Sequence, residues 1–196
     1  MDLSLLQIGL AIVSAFFVFS GYMIVYENPM QSSSEMQTVA SSISDLFSKV
    51  DSFWIEDSLV HLFPENNLCL QARISPDYIV VSSNEIASQV TIPVTQRLWI
   101  ITKNSSLKTA NEWHQVMLNF TGSKGTECDP IKNRSLANDL LRSTWNQSQN
   151  VYYHYPLIWN EHKYIRLEKC ILYQENEIDE IISASPMIEF IIIQQI

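Results

Sequence analysis

The first 48 residues contain no lysine or arginine; every basic side chain lies at Lys49 or beyond. Over the whole chain 21 acids face 12 bases, for a formal charge of -9. An acidic surface without a basic run excludes nucleic acid and anionic lipid headgroups as favoured partners. Glycine (4 of 196 residues) and proline (7) are too scarce for a collagen-like or low-complexity chain. Cysteine is scarce too. Cys69, Cys128 and Cys170 are odd in number and form no CxxC, which excludes a disulfide scaffold. In an exported domain they allow one disulfide and one buried thiol; an isolated cysteine is otherwise a small core residue.

Signatures of chemistry are also missing. There is no G-x-S-x-G, no cysteine in a recognisable catalytic setting, and GSKGTE lacks P-loop spacing. His61, His114, His154 and His162 form no HxH or HExxH and have no close cysteine in sequence; His154 and His162 with Glu161 could meet across a hairpin. The acids Glu175, Glu177, Asp179 and Glu180 lack the D-x-[DN]-x-[DN]-G calcium pattern and read as a solvated turn. No catalytic residue, metal site or cofactor is expected.

What is present begins with LSLLQIGLAIVSAFFVFSGYMIVY, residues 3–26, without a single charge. As a helix this run is about 36 Å long, enough for a ~30 Å hydrocarbon core. Leu10, Ile12, Phe16, Phe17, Phe19, Tyr22 and Ile24 would face lipid, and residues 1–26 read as a single-span membrane anchor. A signal peptide cut after Ser20 is the rival. The run, however, exceeds the ~7–15 residues of a signal core, and no base precedes it. Pro29 lacks an amide donor and restricts Asn28, so residues 27–31 read as a hinge.

Ser32 and Glu35 then have capping-box spacing. Met36, Val39, Ile43, Leu46, Val50 and Phe53 follow at intervals of 3, 4, 3, 4 and 3. That spacing predicts an amphipathic stem helix over 32–56, whose stripe packs on its own domain or on other chains. Beyond Ser58 the period becomes two. Strands are expected over 68–74, 78–83, 97–103, 114–120, 151–159, 163–174 and 186–196. Turns are expected at WNEHK and at QENE (174–177), and one short helix, capped by Ser135, over 135–145. The expectation is an α+β chain with a mostly antiparallel, β-rich head over 57–196.

Tyr153 and Tyr155 share one face of an expected strand, and with Trp159 they offer either a binding surface or packing. Sequons at Asn104, Asn119, Asn133 and Asn146 favour an exported, glycosylatable head with the N-terminus in the cytoplasm.

An uncharged run, a proline break at Pro29, the Met36–Phe53 stripe and a β-rich head, in that order, resemble type IV pilin-like proteins. The likeness is greatest to the small archaeal membrane-anchored members. The resemblance implies a head outside the cell membrane, helix packing through the stem and no catalysis, as in an accessory to a pilus or archaellum. Met1-Asp2 provides no basic leader, so an uncut anchor is expected. The function expected is a non-enzymatic envelope protein that contacts other envelope proteins or itself through the stem. The alternative is a tethered binding module for a small molecule or glycan at the Tyr/Trp surface.

Overall fold

The structure, a computed structural model, describes residues 33–65, 68–83, 88–101, 107–154, 156–178 and 181–196. Residues 33–51 form helix α1. Eight strands and two further helices follow among the described residues. They are β1 (Ser58–Leu62), β2 (Leu70–Ile74), β3 (Tyr78–Ser83), β4 (Gln89–Pro93), β5 (Leu98–Ile100), α2 (Ala110–Thr121), α3 (Arg134–His154), β6 (Leu157–Asn160), β7 (Tyr164–Ile178) and β8 (Ile181–Gln195).

The strands make two four-stranded sheets, ordered β1-β7-β8-β5 and β4-β3-β2-β6. All pairs are antiparallel except β5 with β8, which runs parallel with Trp99 opposite Ile192. β7 and β8 pair from Ile165 opposite Gln195 to Ile178 opposite Ile181, with a register shift at Leu172/Tyr173.

Period two divides β7 and β8 between two cores. Ile165, Leu167, Ile191 and Ile193 enter the first, with Leu70, Ala72, Ile74, Ile79 and Val81 of the other sheet. Cys170, Leu172, Phe190 and Ile192 point the opposite way, into a second core with Trp113 and Met117 of α2 and Ala137 and Leu141 of α3. A strand covered on both faces has no side for polar residues, which is why Met187–Ile193 is almost continuously apolar.

Several expectations are overturned. Among the described residues no helix is long and apolar enough to cross a membrane, and three helices accompany a mostly β core that is 41% strand. The architecture of transmembrane helix, stem and head with one helix is therefore not the one found. Residues 1–26, with Leu10, Ile12, Phe16, Phe17, Phe19, Tyr22 and Ile24, lie outside the described residues. So do Asn28, Pro29 and Ser32.

Nor is there a separate stem. Met36, Val39, Ile43, Leu46 and Val50 are buried in the first core together with both sheets, so their stripe is closed to other chains. α1 stops at residue 51, short of the expected 56. The reason lies in β7: the Lys169 ammonium donates to the carbonyls of Asp51 and Phe53 and pairs with Glu189 at 2.7 Å. A cation on the last carbonyls satisfies groups that a further turn would otherwise bond. Phe53 is left beside the core, partly buried.

The strand expected at 114–120 is inside α2. The helix expected over 135–145 runs instead from Arg134 to His154, replacing the first half of the strand expected at 151–159. Asn133, not Ser135, caps it, accepting from the Leu136 amide at 3.1 Å. Gln174–Glu177, expected as a turn, lie within β7.

Candidate functional site

Two features stand out, one chemical and one of surface. The chemical one joins three elements. α2 starts from a capping box: Thr109 Oγ1 accepts from the Glu112 amide, and the Glu112 carboxylate accepts from the amides of Thr109 and Lys108. The Glu168 carboxylate of β7 also accepts from the Ala110 amide at 2.9 Å, holding the positive helix end against the sheet. Gly122, at φ 79°, ends the helix. Between these stops α2 presents Ala110, Trp113, His114 and Met117 inward, one helical face.

His114 reaches two partners. Its Nδ1 lies 2.9 Å from the Lys124 carbonyl oxygen, which only accepts, so Nδ1 carries a proton. Its Nε2 meets both oxygens of Glu56, at 2.8 and 3.0 Å. Glu56 sits between α1 and β1 and also accepts from the Ile171 amide at 2.8 Å. Cys170 of β7 completes the group: one ligating atom from each of Glu56, His114 and Cys170 lies within 4.8 Å of the others.

Burial alone would pull the His114 pKa down. The hydrogen bonds to Glu56 and to the Lys124 carbonyl, with the Glu56 charge, outweigh it and raise the pKa above its usual 6.5. Burial pushes the Cys170 thiol well above its ordinary range, and the Glu56 and Glu168 carboxylates add to that. A thiol kept protonated is a poor nucleophile.

The surface feature is the segment leading into β1. Trp54 is 93% exposed and Ile55 71%; Val60 and Leu62 follow at 51% and 39%. Among the described residues β1 is an edge strand, paired only with β7. Leu59 packs on the first core, so Ser58, Val60 and Leu62 face the other way. Leu62 is opposite Tyr164, whose carbonyl accepts from the Ile196 amide, and both Tyr164 and Ile196 are exposed. The apolar row thus continues from β1 across β7 to the residue that follows β8.

An open groove of about 590 Å³ lies elsewhere, lined by Arg97, Asn138, Arg142, Trp145 and Ile188 among others.

The residues singled out in the sequence do not converge. Trp159 is fully buried, donating its indole N–H to the Lys163 carbonyl, so it offers no binding surface. Tyr153 belongs to α3 rather than to a strand, and Tyr155 lies outside the described residues. Of the sequons, Asn104 lies outside the described residues and Asn133 caps α3, while Asn119 and Asn146 stand exposed within helices. Cys69 and Cys128 are free and exposed and Cys170 is free and buried.

Sequence reasoning did not find the Glu56–His114–Cys170 group, because 58 residues separate even Glu56 from His114. The one local signal was Thr109-x-x-Glu112 with Gly122, which marks α2 and places His114 on its inner face.

No family model, curated protein or solved structure matches this chain.

Proposed function

We propose that the domain is a non-enzymatic contact module that binds a partner protein along β1, at the outer side of the cell envelope. The observation that carries the reading is the run from Trp54 to Leu62, with four large apolar side chains exposed and a strand edge left open among the described residues. β1, SLVHL, contains neither lysine nor proline, the residues that usually blunt such an edge. A partner strand would add its backbone hydrogen bonds to β1 and cover Val60 and Leu62. The address rests on the uncharged run of residues 3–26 and on the sequons in the sequence.

Photocrosslinking in intact cells tests it, with the photoreactive group at position 60 and a control at exposed position 115 on α2. A protein adduct specific to position 60 that disappears with Leu62→Lys supports the reading. Equal labelling at 115, or an adduct indifferent to Leu62→Lys, overturns it.

The groove favours a second reading, a small-molecule or glycan module. Arg97, Arg142 and Trp145 all line it, a combination suited to stacking a sugar ring that bears a carboxylate. Titration with glucuronate, followed by amide shifts at Asn138 and Arg142, separates the two readings.

A further inference from the structure

We propose that Glu56, His114 and Cys170 form a binding site for one zinc-class divalent cation, with the remaining coordination position open to solvent. The three donor atoms already lie within 4.8 Å of one another. Around a tetrahedral Zn²⁺ with bonds of ~2.0–2.3 Å, neighbouring donors sit roughly 3.3–3.8 Å apart, so the group closes on an ion by a small contraction.

The second layer is in place. The Lys124 carbonyl accepts a hydrogen bond from His114 Nδ1–H, with N···O at 2.9 Å, and aims Nε2 at the other donors, as the orienting partners of zinc-bound histidines do. The Ile171 amide holds Glu56 Oε1 at 2.8 Å, leaving Oε2 to turn towards an ion. Each donor comes from a different part of the fold: the α1–β1 connection, α2 and β7. Access is from one side, since the Glu56 side chain is 32% exposed while His114 and Cys170 are closed off.

Charge balances as well. Without metal the group holds imidazolium, carboxylate and thiol, for a net of zero. On binding, Nε2 loses its proton and Sγ loses its own; the dication then sits with carboxylate, thiolate and neutral imidazole, again zero. Two protons leave and no net charge is added to a largely buried place, which avoids the desolvation cost of a buried ion. A thiolate with imidazole and carboxylate suits zinc and disfavours magnesium or calcium, which require oxygen donors.

The test uses the full chain, stripped with chelator and titrated with Co²⁺ as a spectroscopic substitute. The expected result is one equivalent bound with a thiolate-to-cobalt charge-transfer band. Zn²⁺ should displace the cobalt and raise the melting temperature. Cys170→Ser should abolish the band, and His114→Gln should weaken Zn²⁺ binding by about 10-fold or more. Circular dichroism verifies that each variant is folded. Glu56→Gln, at the exposed side of the site, provides a variant least disturbing to the core and should weaken binding too. The Cys69→Ser/Cys128→Ser double variant should keep the band. Absence of a charge-transfer band in the wild-type chain overturns the proposal, as does its loss in that double variant. Val60 and Leu62 supply no donor, so failure of the β1 contact reading leaves this result unchanged.

Discussion

His114 concentrates more chemistry than any other described side chain, and its protonation follows from its neighbours. With its pKa raised above 6.5, the imidazolium pair with Glu56 stabilises the metal-free protein fully below the unfolded value and loses that contribution as pH rises through the folded value. Chelator-treated wild type should therefore exceed His114→Gln by about 1–3 kcal/mol at pH 5.5, as expected for a hydrogen bond to a charged group. The gap should narrow steadily towards pH 8.5. Thermal melts of both proteins across that range check it; a gap that widens with pH contradicts the assignment of the proton. Little of this was legible in advance. HQVMLNF alternates well enough to read as a strand, and nothing near His114 in the chain announces Glu56 or Cys170. Trp159 failed in the opposite direction: its neighbours Tyr153 and Tyr155 suggested a surface, yet Ala72 opposite it on β2 and Phe63 at 5.3 Å enclose it.

At the level of elements, α2 shows how short windows mislead. Trp113, His114 and Met117 share a helical face, yet HQVMLNF also alternates as a strand would, and seven residues cannot separate the two periods. The stops decide it. Thr109→Ala removes half of the capping box and should cost about 0.5–2 kcal/mol. Gly122→Ala, with open space around a Cβ but φ at 79°, should cost about 1–2 kcal/mol from backbone strain alone. Denaturant midpoints of the two variants measure both. α3 erred at the other end: the β-prone Val151–Tyr153 join a helix begun 17 residues earlier at Arg134, which stops at His154, two residues before Pro156. In such a case a helix already propagating outweighs local propensity, since each added residue gains a hydrogen bond without a new nucleus.

For the molecule as a whole, the β7–β8 ladder is the structural centre, because alternate residues of both strands serve two cores. The second core is aromatic. Trp113 lies edge-on to Trp99 at 4.9 Å and to Phe190 at 5.1 Å, and Trp145 closes on Phe190 at 5.7 Å. Phe190→Ala should cost about 3–5 kcal/mol, since three indoles cannot collapse into the space it leaves. In native-state hydrogen exchange the amides of Leu167, Cys170, Ile191 and Ile192 should be the slowest, opening only with global unfolding. If β1 exchanges as slowly as β7, the edge is covered and the contact surface is not free.

Some of this was decided by sequence alone. The almost continuously apolar run Met187–Ile193, interrupted only by Glu189, requires a strand buried on both sides, and the three-four spacing from Met36 to Val50 dictates which side of a helix is apolar. Such patterns act through the backbone's own repeat and need no distant partner. Tertiary structure alone decided what those surfaces meet. It turned the Met36–Val50 stripe into the core of its own domain instead of a stem, ended α1 with an ammonium from β7, and assembled Glu56, His114 and Cys170. Those outcomes depend on pairing residues far apart in the chain. The register of β7 between β1 and β8 sets that pairing, and no local period encodes it.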